Sequence, residues 1–341
     1  MAGDIREKEG TARTRPTLRT LAADTGFAVA TVSRALAKDP KIAESTRQIV
    51  AEAAERLGYV PDRAAQRLRT GRTKVISLIL DPHQEILGFT NELLAGLTGA
   101  LAGTGYHLTV FPQVAGADSL APVLHIVRNN LADGLIFSRT REDDSRVRFL
   151  LDRGVPFACH GRTTLSARHP FVDFDNRDFA YNAAIRLADL GARSLCIILP
   201  PAEYTFAGHL HAGVHRAAEE RGLSVTIPER LSIDSPPETV RAWAEGLSDV
   251  PDGFIFPGEL TFLAATAGLK PRGLLRGRDY NAVVKVSSSL LGLIDPEVDC
   301  IYEDIREAGR LLGDTLLKAL AAEGGPGPEG VIYPPGVLSV K

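Results

Sequence analysis

Over the first sixteen residues (MAGDIREKEGTARTRP), charged, glycine and threonine positions follow one another with no apolar period. That pattern predicts a disordered leader over 1–16. From Thr17 the apolar positions fall at helical spacing. Thr17 can cap a helix carrying Leu18, Leu21 and Ala22 on one face, and Gly26 stands where a left-handed stop belongs. A second helix is predicted over Val29 to Leu36, and Asp39-Pro40 breaks it. A third runs from Ala43 to Leu57, with Ile42, Ile49, Val50, Ala53, Ala54 and Leu57 repeating on one side and Gly58 ending it. These helices make a head over 17–60. Pro61 suits a first helical turn, so DRAAQRLR (62–69) predicts one short helix inside a hinge and linker over 61–73.

Beyond Lys74 the pattern changes to short continuous apolar runs alternating with helical stretches. The runs are Val75–Leu80, Thr109–Phe111, Gly134–Phe137, Pro156–Cys159, Leu195–Leu199, Gly253–Phe256 and Val283–Val286. Helices are predicted over Asn91–Leu101, Asp178–Leu190, His209–Arg221 and Asp304–Ala322. Uninterrupted apolar strands between helices imply a parallel sheet covered on both faces, an α/β unit over 74–341.

Charge divides the chain in the same place. Residues 1–74 hold 15 Lys and Arg against 9 Asp and Glu, net +6, whereas the remainder holds 24 against 33, net −9. A basic head on an acidic body predicts that one end meets a polyanion. Cys159, Cys196 and Cys300 form no CxxC pair, which argues against a disulfide framework or zinc ribbon and fits a reducing cytosol. No signal peptide or membrane span is expected, because no apolar run has the length of either. A GxSxG elbow, a GxxxxGK[ST] phosphate loop and an HExxH pair are all missing, so no enzyme and no cofactor is expected.

In the head, a helix, a turn at Gly26 and the second helix AVATVSRAL have the shape of a helix-turn-helix whose second helix enters the major groove. Thr31-Val32-Ser33-Arg34-Ala35-Leu36, Ser45-Thr46-Arg47, Leu57-Gly58-Tyr59-Val60-Pro61 and Ala65-Gln66-Arg67-Leu68 follow in order. On these motifs the chain resembles the LacI/GalR family of bacterial transcription regulators, and weaker counterparts continue at Pro82, Asp133-Gly134, Asp175-Asn176, Gly191-Ala192-Arg193 and Pro251-Asp252. The resemblance implies an all-α helix-turn-helix head and a two-lobed, periplasmic-binding-protein-like sensor with parallel sheets. It implies a cytoplasmic homodimer that represses a carbohydrate operon by binding a pseudo-palindromic DNA operator, with a small sugar effector between the lobes of 74–341.

By the same resemblance Val29, Ala30 and Arg34 face base edges, while Thr17, Thr31, Ser33 and Arg47 lie near phosphates. The chemistry agrees. Arg34 can donate to guanine O6 and N7, whereas Val29 and Ala30 can only contact thymine methyls or shape the fit. Ala28 stands where the family often has a capping serine. Leu68, an apolar residue among Arg63, Arg67 and Arg69, is implied to wedge into the minor groove beside Arg67; packing against the sensor is the other reading.

For the effector, position in the family picks out Phe89, His160, Arg162, Asp175, His209, His211, Glu259, Lys285 and Ser287. Polar groups at the carboxyl ends of parallel strands are where such sheets hold ligands. Three departures matter: Leu210 replaces the usual cleft arginine, Gly258-Glu259 the usual Asn-Asp, and Ser287 the usual late aspartate. The phrases HGRT (160–163), HPFVDFDN (169–176) and VVKVSSS (283–289) resemble a subgroup tied to α-glucoside uptake, which implies an α-glucoside effector. His211, His215 and Glu219, four residues apart, leave metal sensing open beside a plain solvated helix face. A sugar-binding module without DNA function is the remaining alternative.

Overall fold

The computed structural model describes residues 16–60, 67, 71–80, 88–113, 116–322 and 330–336. The chain divides into two compact units, one ending at Thr73 and one beginning at Lys74.

The first unit is three helices: α1 (Leu18–Thr25), α2 (Val29–Leu36) and α3 (Glu44–Leu57). Thr17 and Thr20 cap α1 reciprocally, the Thr17 hydroxyl accepting from the Thr20 amide and the Thr20 hydroxyl from the Thr17 amide. Gly26, at φ 73°, closes it with its N–H on the Ala22 carbonyl. Leu21, Val32, Ala35 and Val50 bury themselves where the helices cross. Ile49, expected in this core, is 47% exposed, because Val50 and Ala53 already fill the inner face of α3. No side chain caps α2 at Ala28.

The second unit holds two parallel sheets. One contains β1 (Val75–Leu80), β2 (His107–Pro112), β3 (Gly134–Phe137), β4 (Phe157–His160), β5 (Phe171–Phe174) and β11 (Val331–Tyr333), in the order β11-β5-β4-β3-β1-β2. The other contains β6 (Ser194–Ile197), β7 (Ser224–Thr226), β8 (Gly253–Phe256), β9 (Asn281–Val286) and β10 (Asp299–Tyr302), ordered β10-β9-β8-β6-β7. In both, the second strand lies outside the first and the later ones continue on the other side, the doubly wound order whose strand ends hold ligands.

Helices α4 (Phe89–Leu101), α5 (Leu120–Arg128) and α6 (Ser145–Arg153) belong to the first lobe. In the second lie α7 (Asn176–Asp189), α8 (Thr205–Arg221), α9 (Pro237–Glu245), α10 (Glu259–Leu269) and the single-turn α11 (Leu290–Ile294). The last long helix, α12 (Ile305–Ala321), returns to pack on α4. The chain therefore passes between lobes at Asp175, at Glu303-Asp304 and again beyond β11, where the Gly336 N–H reaches the Tyr302 carbonyl.

Candidate functional site

In the head, α2 turns Val32 and Ala35 inward and leaves Val29, Ala30 and Arg34 exposed, with Thr31 and Ser33 half-buried at the margins. One face of one helix thus presents two small apolar groups and a guanidinium. Thr17 lies at the N-terminus of α1, where the helix dipole also favours an anion. Arg47, one turn into α3, pairs with Glu44 on the same helix, so its guanidinium would have to exchange that partner to reach a phosphate. Arg67 is exposed and helical, its carbonyl accepting from the Gly71 N–H. Leu68 and most of the expected hinge lie outside the described residues.

In the second unit, the strand ends of the two sheets enclose a cavity of about 60 Å³, lined by Phe89, Ser138, Arg139, Thr140, His160, Gly161, Arg162, Asp173, Asn176, Phe206, His209, Ile233, Pro257, Lys285 and Glu303. Five of the expected residues meet here: Phe89, His160, Arg162, His209 and Lys285. Phe89 opens α4 and its ring lies 6.1 Å from that of His160. Gly161, at φ 118°, makes the turn after β4; a Cβ there would fall 2.4 Å from Thr140 Oγ1, which donates to the Arg162 carbonyl. A side chain at 161 would displace the bond that fixes Arg162.

Arg162 donates through Nε to Asp173 Oδ2 at 2.6 Å, and its Nη2 lies 3.3 Å from His209 Nδ1. This joins β5 of one lobe to α8 of the other. Burial pushes the Asp173 carboxyl up to about 6, against the opposing pull of Arg162. Burial, reinforced by Arg162 and Arg177, brings His209 down to about 4, so its imidazole is neutral at pH 7. Lys285 on β9 is buried, 2.7 Å from Glu303 Oε2 and 3.2 Å from Asn176 Oδ1, with the Phe174 ring 4.9 Å from its ammonium. Tyr333 donates to Glu303 Oε1 at 3.0 Å and lies 3.1 Å from His160 Nε2. Burial and the adjoining Glu303 carboxylate hold the Tyr333 phenol well above its ordinary range.

Four expected residues stand elsewhere. Asp175 accepts from the Asp178 N–H as the cap of α7, because β5 ends at Phe174 and the chain turns into a helix. Glu259 and Ser287 are buried within the second lobe, where Glu259 Oε1 accepts from the Ser287 N–H at 3.1 Å. His211 is on the outer side of α8, its ring 4.1 Å from that of His215, beside an open depression that includes Glu229 and Arg230. Among the described residues no group of three or more His, Cys, Asp or Glu is disposed to hold a metal ion. Sequence reasoning missed Arg139, Asp173 and Glu303, which carry three of the five charges lining the cavity, and the amide of Asn176.

Residues 17–62 match the family model "Bacterial regulatory proteins, lacI family". The HTH-type transcriptional regulator AglR of Rhizobium meliloti (strain 1021) is 35% identical over 211 residues, 61% of this chain and 59% of that protein. The HTH-type transcriptional regulator RafR of Escherichia coli is 27% identical over 314 residues, 89% of this chain and 91% of that one. Residues 17–62 thus form a lacI-family regulatory domain, and both relatives are HTH-type transcriptional regulators. With that head, and with relatives along most of its length that are regulators and not enzymes, the chain is a DNA-binding transcriptional regulator. Its fold is also that of the lac repressor dimer bound to operator and the anti-inducer ONPF, with TM-score 0.77, 20% identity and 96% and 98% of the two chains covered. A CelR–cellobiose complex matches with TM-score 0.69, 22% identity, 96% of this chain and 100% of that one.

Proposed function

We propose that this regulator is a cytoplasmic homodimer that represses a carbohydrate operon, and that a neutral glucose-containing disaccharide of the α-glucoside class, bound in the cleft, changes its operator affinity. The observation that carries this reading is the cleft itself. Arginine, carboxylate and amide groups converge beside Phe89 and Phe206 where two doubly wound sheets end, in a chain whose head presents Arg34 on an exposed helix. Paired donors and acceptors suit sugar hydroxyls, and an aromatic ring suits the C–H face of a pyranose. Arg162 and Asp173 are assigned to the hydroxyls and Phe89 to the ring face; Lys285 braces the cleft. No described helix is long and apolar enough to cross a membrane. On the DNA side Arg34 reads guanine, Val29 and Ala30 complete the base-facing surface, and Thr17, Thr31, Ser33 and Arg47 position the backbone, with Arg67 and Leu68 at the operator centre.

A thermal-shift series on the full chain with maltose, sucrose, trehalose and cellobiose tests the ligand class. Binding to the folded state alone raises stability by about 2.7 kcal/mol at a hundredfold excess over Kd. At least one α-glucoside should raise the melting temperature and cellobiose should do so less; no shift with any of them would refute the assignment.

Asp173 sets an expected pH dependence. Above about 6 it is a carboxylate that accepts from Arg162 and from a sugar hydroxyl; as pH falls through about 6 it becomes neutral and that acceptor is lost. His209, titrating at about 4, stays neutral between pH 7.5 and 5. Sugar affinity should therefore fall as pH falls from 7.5 to 5, with its midpoint near 6, and Asp173→Asn should flatten that profile. The sign for stability is opposite. A folded-state carboxyl raised above its unfolded value of 3.8 contributes stability at low pH that is lost as pH rises through about 6, so weaker binding at pH 5 is not acid unfolding at this group. Calorimetry across this range, with melting curves at each pH, decides it.

A further inference from the structure

We infer that Arg139 is the latch of the cleft: by gripping Asp234 and Tyr204 of the opposite lobe it holds the two lobes closed, and a ligand must release it to enter. This goes beyond the sugar-controlled reading and does not depend on which ligand binds.

Arg139 follows β3 in the first lobe, and Asp234 lies in the loop between β7 and α9 in the second. Its guanidinium donates to both Asp234 oxygens, through Nη1 at 3.0 Å and through Nη2, and lies 4.3 Å from the Tyr204 ring centroid. The arginine side chain is only 5% exposed and Asp234 32%, so the pair is half-buried and less screened than a fully exposed surface pair. Beside it, Thr205 gives its N–H and its hydroxyl to the Thr140 carbonyl at 2.9 and 3.1 Å, and Arg141 and Tyr204 form an antiparallel bridge.

Both halves are prearranged. Arg139 has φ 55°, a conformation an arginine rarely adopts unless its surroundings impose it. What imposes it is the buried Asp144–Arg146 pair: Arg146 Nη2 donates to the Arg139 carbonyl at 3.0 Å, and Asp144 Oδ2 accepts from the Arg141 N–H at 3.1 Å. That ion pair, 2% and 4% exposed and outside the cavity lining, has a purpose as the mount of the latch. Opposite, Asp234 sits in a turn tied by Ser232 and Ser235, and the neighbouring Ile233 N–H is anchored on the Leu199 carbonyl.

The cavity of about 60 Å³ has room for about five waters at roughly 10–15 Å³ each. Pockets that enclose small-molecule ligands run to roughly 300–1,000 Å³. The latched form therefore has too little room to enclose a disaccharide, and apparent affinity is reduced by the fraction of molecules that are latched.

Thr205 supplies a ligand-independent reporter. It is the first residue of α8, so its N–H has no partner within the helix and depends for protection on Thr140 across the cleft. Residue-resolved hydrogen exchange on the full chain should show the Thr205 amide exchanging about tenfold faster in Asp234→Asn than in the parent, relative to Leu195–Ile197 in β6 as internal reference. Tyr204→Leu, which keeps both charges, should give a smaller acceleration at the same amide. Unchanged relative exchange at Thr205 in Asp234→Asn, or equal acceleration at Thr205 and in β6, would overturn the latch.

Discussion

Lys285→Met is expected to destabilise the sensor unit by about 3–5 kcal/mol, the loss that follows when one partner of a buried ion pair is removed and the other is left uncompensated. The side chains of Lys285 and Glu303 are 5% and 3% exposed, and Glu303 stands on the segment by which the chain crosses from β10 back to α12. Methionine fills much the same volume, so the effect is electrostatic rather than a cavity. The double variant Lys285→Met with Glu303→Leu should recover most of the loss, because replacing both members of a buried pair by apolar groups is often neutral or better. Urea denaturation of the two variants and the parent checks this. A single variant within about 1 kcal/mol of the parent, the size of an exposed pair, would show that the pair is not a buried brace.

Arg34→Ala is expected to weaken specific DNA binding by about tenfold to a hundredfold, the 1–3 kcal/mol of a bidentate arginine–guanine contact, while barely changing the head's stability. Arg34 is exposed on α2 and supports none of the packing of Leu21, Val32, Ala35 and Val50. The loss should be base-specific: it should shrink when the guanine it reads is replaced. Arg47→Ala should instead weaken binding to all sequences alike and flatten the salt dependence by about one unit of log–log slope, as a phosphate contact does. Fluorescence anisotropy with a DNA site selected from a random pool separates them. Equal affinity of Arg34→Ala and the parent for that site would remove α2 as the reading helix.

These two outcomes also mark what could be read from sequence. The central strands were legible because a parallel strand covered on both faces must be apolar throughout: VISLIL, GLIF and GFIF are β1, β3 and β8. Edge strands such as SVT in β7 and VIY in β11 have one flank free, carry polar or exposed residues, and give no such run. Within VDFDN the sequence reading picked Asp175 and passed over Asp173. Only the end of β5 at Phe174 decides that Asp173 enters the cleft while Asp175 caps α7. Arg139 was missed because the charged loop SRTRED reads as solvated, and its burial is created by Asp234, 95 positions along the chain. Glu303 is hidden for the same reason: its partners, Lys285 and Tyr333, meet only once the two lobes are built.

Linkage between a DNA site on the head and a sugar site in the cleft is reciprocal, so each ligand must alter the affinity for the other by the same factor. The most direct test measures operator affinity of the full chain by anisotropy with and without the sugar that stabilises it, and sugar affinity by calorimetry with and without saturating operator. The expected result is a change of about fivefold or more in operator affinity and the same factor, in the same direction, in sugar affinity, within the usual range of 1–3 kcal/mol for allosteric coupling. An operator affinity indifferent to a sugar that demonstrably binds the cleft would contradict it.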